Sequence, residues 1–345
     1  MKTKLNIRKV AIIILASAAI SVASQAKKTE YSSSIPDTAN TAAAKTIFPG
    51  PDIKIPVVYM TKNISPAGLD AIYKSLGRKL PGKVAVKLST GEAGGHNFLS
   101  PDLIKDLVHS VNGTIVECNT AYNGHRATTE QHKQVAIDHG FTAIAPVDIM
   151  DEDSSVILSF PHGAHIREDF VGSHFLKYNS CLVLSHFKGH MMGGFGGALK
   201  NISIGIASAA GKIWIHTAGV SKTDFSLVFK TNQNAFLESM AEAAGAVMNS
   251  LDSNMLYINV MNKLSVDCDC ASDPAPPEMH DIGILGSLDP VALDAACVDL
   301  IYAADKKESA ALRERIESRN GTLILQHAEA LGLGSQKYKL VIIDK

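Results

Sequence analysis

The sequence has little of what several function classes require. Its 33 Lys and Arg are balanced by 34 Asp and Glu. They form no cationic cluster of the kind that phosphate backbones need, which argues against a nucleic-acid partner. No apolar run approaches the roughly twenty residues that span a bilayer. Neither GxxxxGK[ST] nor GxGxxG occurs, and no internal repeat is visible. Cysteine is scarce and odd in number, five in all. A fully paired disulfide framework is therefore excluded, and at least one thiol stays free or binds something.

The longest apolar run, VAIIILASAAISVA (10–23), follows Lys2, Lys4, Arg8 and Lys9 and precedes Ser24-Gln25-Ala26. This is the pattern of a secretory signal peptide cleaved after Ala26. No Cys lies there for a lipid anchor, and Arg8-Lys9 is not a twin arginine, so the expected route carries unfolded chains. Cleavage leaves 29 basic residues against 34 acids, a net charge of about −5, and no membrane span. Residues 27–50 are small and polar and read as a flexible leader. Residues 51–345 are enough for one large domain or two modest lobes.

Strand-like and helix-like runs alternate from there. IPVVYM (55–60), KVAVKL (83–88), GTIVEC (113–118), FTAIAPV (141–147), SVILSF (155–160), SCLVLSHF (180–187), MLYINVM (255–261), DIGILGS (281–287) and KLVIID (339–344) read as strands. Helices are expected over 100–111, 128–140, 232–251 and 289–305, with Asp289-Pro290 and Asp294 at a helix N-terminus. The alternation predicts an α/β fold, mostly parallel sheets flanked by helices, in two intertwined lobes with the site between them. In such sheets, ligands bind beyond the carboxyl ends of strands.

The loops that follow strands are unusual. STGEAGGHN (89–97) carries Glu92 and His96, and NTAYNGHRATTE (119–130) carries His125-Arg126. PHGAHIRED (161–169) carries His162 and His165. Of the thirteen histidines, His162, His165, His174, His186 and His190 fall within 29 residues. Imidazole is both the commonest metal ligand and the usual acid–base group near neutral pH.

HMMGGFGGALKN (190–201) sets Gly193, Gly194, Gly196 and Gly197 before Lys200. Glycine permits positive φ and close approach, and a helix over 198–209 would present free N–H groups to an anion. By chemistry alone, Lys200 is a Schiff-base former, a phosphate partner or a surface lysine. Met191 and Met192 read as packing. In VDCDCASDPAPP (266–277), Cys268 and Cys270 flank Asp269. They are a metal-binding pair joined by His280 or another loop's histidine, a local disulfide, or two cysteines on one strand face. Cys118, Cys181 and Cys297 have apolar neighbours and read as buried small hydrophobes.

HMMGGFGGALK resembles the segment of nickel-pincer lactate racemases in which a His precedes, by ten residues, the lysine that carries the pincer nucleotide. Here His190 and Lys200 are ten apart, and His216, in KIWIHTAG, lies sixteen beyond Lys200, where that family has a metal-binding His. NGHRATTE is similar to the family's His-Arg loop before a Thr-x-Glu helix start, while KLSTGEAGG replaces its Asp-x-Thr-Arg segment. The whole chain resembles domain of unknown function family 362, uncharacterised Fe–S-centre proteins, through HxxGGFGGALKN, VDCDC and DIGILGSLDPVALDAA. Many members carry a ferredoxin-like insert rich in CxxC units, which is absent here, and two cysteines cannot supply the four ligands of a cluster.

The resemblance implies a racemase- or epimerase-like enzyme acting on a small hydroxy acid, with a small anionic molecule as ligand. His125, His190 and Lys200 would be catalytic. Lys200, Gly194, Gly196, Gly197, Asn201 and Arg126 would bind the cofactor, and His216 a metal, with Cys268 and Cys270 added as metal candidates by their own thiolate chemistry. A chain exported unfolded cannot carry a prebuilt site. A divalent or transition metal captured after export is therefore favoured over a nickel-pincer nucleotide or an Fe–S cluster. The alternative is a non-catalytic metal-binding or redox protein using Cys268, Cys270 and histidines.

Overall fold

A computed structural model of the chain describes residues 55–252 and 254–344. The expected signal peptide and leader lie outside them. The described residues make an α/β fold with one mixed sheet of eight strands at its centre. The strands in chain order are β1 (Val57–Thr61), β2 (Val84–Lys87), β3 (Gly113–Glu117), β4 (Val147–Ile149), β5 (Ser155–Ser159), β6 (Glu168–Gly172), β7 (Ser180–His186), β8 (Lys188–His190), β9 (Gly194–Gly196), β10 (Met255–Met261), β11 (Gly283–Ser287) and β12 (Lys339–Ile342). The large sheet runs β12-β1-β11-β10-β7-β2-β3-β4.

Every neighbouring pair in this sheet is parallel except the two that β11 makes, with β1 and with β10. The physical reason lies in the connection. A parallel return needs a crossover, usually a helix, and residues 262–282 contain none. The chain turns back beside β10 instead, leaving the VDCDC segment at the carboxyl end of that strand.

The helices are α1 (Pro66–Ser75), α2 (Pro101–Ser110), α3 (Thr129–Asp138), α4 (Ala198–Ser203), α5 (Ala209–His216), α6 (Gln233–Ser250), α7 (Pro290–Ala303), α8 (Ala310–Ser318) and α9 (Leu323–Ala330). Proline at the first turn of α1, α2 and α7 presets φ where the missing N–H costs nothing. Two apolar layers result. Leu69, Ile72, Ile104 and Leu107 of α1 and α2 pack with Val84, Val86, Ile115 and Ile258. The residues alternating with these on the strands, Ala85, Val116 and Val183, pack with α4, α6 and α7, as the strand period of two requires.

FTAIAPV is not a strand. Gly140, at φ 82°, turns the chain into a short 3-10 segment, Phe141–Ala143, whose Phe141 is fully buried, and β4 begins only at Val147. SVILSF forms β5, but it pairs with β6 in a separate two-stranded sheet. No helix among the described residues is long and apolar enough to cross a membrane.

Candidate functional site

The strands β2, β3 and β7 end side by side, and their last residues begin the site. Lys87 and Glu117, both buried, form an ion pair at 2.9 Å. Arg126 reaches Glu117 at 3.4 Å and Glu92 at 3.3 Å, and the Tyr122 hydroxyl donates to Glu92 at 3.0 Å. Burial alone would raise the Glu117 carboxyl. The Lys87 and Arg126 charges outweigh it and bring it down to about 2. Asp269 in the VDCDC turn is built alike. It accepts from Lys188 and lies 2.8 Å from His186 Nδ1, and these partners hold it well below the carboxylate range despite burial.

The Gly-rich stretch is a hairpin of β8 and β9 leading into α4. Its glycines act mainly on the chain itself. Gly194 has φ 80°, and a Cβ there would lie 2.8 Å from the Gly321 Cα, so it packs away from the cavity. A Cβ on Gly197 would lie 2.3 Å from Asp294 Oδ1. The Asp294 carboxylate accepts the N–H groups of Ala198 and Leu199 at 2.8 and 2.9 Å and the Asn259 amide at 2.7 Å. The N–H groups expected to receive a ligand anion are thus already filled by a side chain, and Asp294, sited inside α7, caps α4 rather than its own helix. Burial lifts the Asp294 carboxyl to about 6, with these donors opposing the shift.

Held this way, α4 presents Asn201 and Lys200. Asn201 donates to the Lys87 carbonyl at 3.1 Å and to Ser185 Oγ at 3.0 Å. Lys200 is half-buried, and among the described residues its Nζ has no hydrogen-bond or ion-pair partner. Burial first, then the Lys188 charge, lowers its ammonium to about 7.

Two imidazoles stand near it in opposite tautomers. His190 Nδ1 accepts from Gly193 N at 2.8 Å and Met192 N at 3.3 Å, which puts its proton on Nε2. His216 Nδ1 donates to the Lys212 carbonyl at 2.6 Å, which leaves a lone pair on Nε2, and its ring stacks on Phe236 at 4.6 Å. Burial, then neighbouring cations such as Lys200, keeps both rings neutral at pH 7: His216 falls to about 4 and His190 well below its ordinary value. One ring therefore offers a donor and the other a base.

These groups line one cavity of about 420 Å3. Lys87, Lys188, Lys200, Lys212 and Arg126 stand against three carboxylates, Glu117, Asp267 and Asp269. Each carboxylate already has its own cation, Arg315 serving Asp267 at 3.4 Å. Lys200 and Lys212 are left as surplus positive charge. Of the residues expected from sequence, His190, Lys200, Gly196, Gly197, Asn201, Arg126, His216, Cys268 and Cys270 line this cavity, while Gly194 and His125 do not. The His125 backbone N–H is held by Glu92 at 2.8 Å and its side chain is 70% exposed. Glu92 braces the loops from behind.

Cys268 and Cys270 form a disulfide, and Cys118, Cys181 and Cys297 are free and buried as expected. The potential ligand atoms of His190, Cys268 and Cys270 lie within 4.8 Å of one another. His216 is not in that group, and His280 pairs with Glu308 elsewhere. Within the five-histidine cluster, His165 and His174 are engaged by Glu238, Asp148 and Asp153, and only His186 and His190 reach the cavity. Asp148, Glu152 and His174 also lie within 4.8 Å, but both His174 nitrogens already face carboxylates.

Lys87, Glu117, Lys188, Lys212 and Asp269 were not picked out from the sequence. A signal existed for the first two, because a charge at the end of an otherwise apolar strand run, as in KVAVKL and GTIVEC, marks the edge of a parallel sheet where sites form.

Residues 84–299, more than half of the chain, match the family model described as domain of unknown function (DUF362). No curated protein matches the sequence. Among solved structures, the lactate racemase apoprotein from Thermoanaerobacterium thermosaccharolyticum is similar at 14% identity and a TM-score of 0.40, over 74% of this chain and 59% of that one. A protein from Thermotoga maritima is similar at 12% identity and a TM-score of 0.40, over 74% and 58%. The chain thus spans less than two thirds of the length of either.

Proposed function

The chain belongs to the DUF362 family, and from that premise and the chemistry of the cavity we propose that it binds a small anionic carboxylate, of the 2-hydroxy acid type, and inverts the carbon beside the carboxylate. The observation that carries this reading is the unpartnered Lys200 amine, lowered to about 7, in a cavity with surplus positive charge. Inversion needs one group that takes a proton and another that returns one. The His216 lone pair takes the Cα proton. The His190 Nε2–H and the surrounding cations hold the enolate oxygens. The Lys200 ammonium delivers a proton to the carbon, and exchange with solvent resets both groups. A group titrating near the working pH suits such a transfer.

A divalent metal held by His216 Nε2 would occupy the lone pair that takes the proton, and His216 stands outside the ligand clusters among the described residues, so metal binding and proton transfer are alternative uses of that ring. A metal bound there would supply a Lewis acid to polarise the ligand. The five cysteines do not fit a four-cysteine cluster, because two form a disulfide and none of the other three joins their ligand group among the described residues. We propose export as well, supported by the pattern of residues 1–26.

The test is to incubate single enantiomers of 2-hydroxy acids with the protein in D2O. Inversion with deuterium at Cα is expected. Full retention of enantiomer and proton across aliphatic and aromatic members would sink the catalytic part.

The second reading, a metal-binding or redox protein, is favoured by the clustered sulfurs and imidazole of Cys268, Cys270 and His190. His190 Nδ1 is occupied, so such a site needs the disulfide reduced and the ring to reorganise. It predicts one thiophilic cation per reduced chain by mass spectrometry, lost in the Cys268→Ser, Cys270→Ser double variant. A reduced wild type that takes up no metal would end it.

A further inference from the structure

The proposed function asks only for a small anion, yet the cavity is sorted by depth in a way that says more. Its basic side chains lie at the bottom: Lys87 is 1% exposed, Lys188 7% and Lys212 8%. Its apolar side chains lie at the mouth. Phe229 is 75% exposed and Met191 61%, and both line the same cavity as the lysines. Phe225 and the buried Val228 complete that side, with the Phe225 and Phe229 rings edge to face at 5.8 Å. The segment responsible is the 3-10 stretch Phe225–Lys230, which lines the cavity together with Met191 of the Gly-rich stretch. Met191, read from sequence as packing, is therefore not a core residue.

Leaving large apolar groups in water forgoes their burial energy, roughly 1.5–3 kcal/mol for each such side chain. Scattered single examples are ordinary. Here Phe225 and Phe229 touch, and with Met191 they line a cavity whose floor is charged. The volume, about 420 Å3, falls in the range of roughly 300–1,000 Å3 typical of sites for ligands well beyond a three-carbon acid.

We infer that the ligand of this cavity is an amphipathic carboxylate, its head at Lys200 and Lys212 and an alkyl or aryl group of several carbons against Met191, Phe225 and Phe229. This rests on the anionic-ligand reading above and narrows it to a substrate class. Head and tail must be one molecule, because the two surfaces face the same space. A cationic amphiphile would meet the surplus lysines and be refused.

The experiment is isothermal titration of the full chain with straight-chain 2-hydroxy acids of three to ten carbons, below their micelle concentrations, with decyltrimethylammonium as the cationic control. Each added methylene is expected to tighten binding about threefold to fourfold until the tail outgrows the rim. In the Met191→Ser, Phe229→Ser double variant, whose side chains are mostly exposed, the dependence should flatten while the three-carbon acid binds as before. Binding without chain-length dependence overturns the inference and leaves the anionic cavity standing. A dependence unchanged in the double variant overturns the assignment to this rim. Cationic control binding equal to that of the ten-carbon acid overturns it too. Failure of every acid to bind, the shortest included, removes the anionic reading and the inference with it.

Discussion

Lys200→Met should weaken carboxylate binding about 10- to 100-fold while making the protein more stable at pH 7. The first half follows from removing a charge-assisted contact, worth about 1.5–3 kcal/mol. The second follows from linkage. Lys200 titrates at about 7 in the fold and at about 10.4 in an unfolded chain. Between those values the unfolded state binds more protons, so stability falls as pH drops from about 10.4 to about 7, and the full penalty is present below. Methionine fills nearly the same space without a charge to desolvate. Calorimetric titration and chemical denaturation at pH 7 read the two effects. A structural lysine would lose stability and leave anion affinity unchanged, the opposite on both counts.

Asp294→Ala is expected to cost about 3–5 kcal/mol. Three donors lose their acceptor at once: the N–H groups of Ala198 and Leu199 and the Asn259 amide. All lie in the core, where each unsatisfied group costs about 1–3 kcal/mol, and part of the loss is recovered by relaxation. The Asn259 amide keeps only its weaker contact to Cys297 Sγ at 3.4 Å. The first turn of α4 carries Lys200, and its loosening should also weaken anion binding. Asp294→Asn keeps one accepting oxygen and should cost less than the alanine variant. Urea denaturation monitored by circular dichroism measures both. A loss under about 1 kcal/mol for alanine, the low end for even one unsatisfied donor, would show that something else caps the helix.

These expectations also mark what the sequence made legible. Strand runs such as SCLVLSHF and helices with Ser, Thr or Asp before their first turn are local signals, and the structure keeps them close to their expected bounds. The direction of β11 is not local. It depends on the missing crossover helix after Met261, and an apolar run reads the same in either direction. FTAIAPV misled because its apolar content serves a buried 3-10 turn, a period that a run of seven residues does not reveal.

The site divides in the same way. His190, Lys200 and His216 share a stretch of chain that the hairpin, α4 and α5 fold over one strand end, so sequence spacing carried over into space. His125 does not reach the cavity because its orientation is set by a contact with Glu92, 33 residues away. The pairings of Lys87 with Glu117 and of Lys188 with Asp269 span 30 and 81 residues. No spacing rule reaches across such distances. Asp294 shows the subtlest case: its place within α7 signals a structural carboxylate, yet the helix it caps is a different one.

The central claim is that Lys200 is a cavity amine poised near neutrality and awaiting an anion. The most direct test is an NMR titration of its side chain, with 15N-lysine labelling and assignment by the Lys200→Met variant. A midpoint near 7 is expected in the free protein, with an upward shift on adding a 2-hydroxy acid, because a bound carboxylate favours the charged form. A midpoint of about 10.4, unmoved by the acid, would contradict the claim.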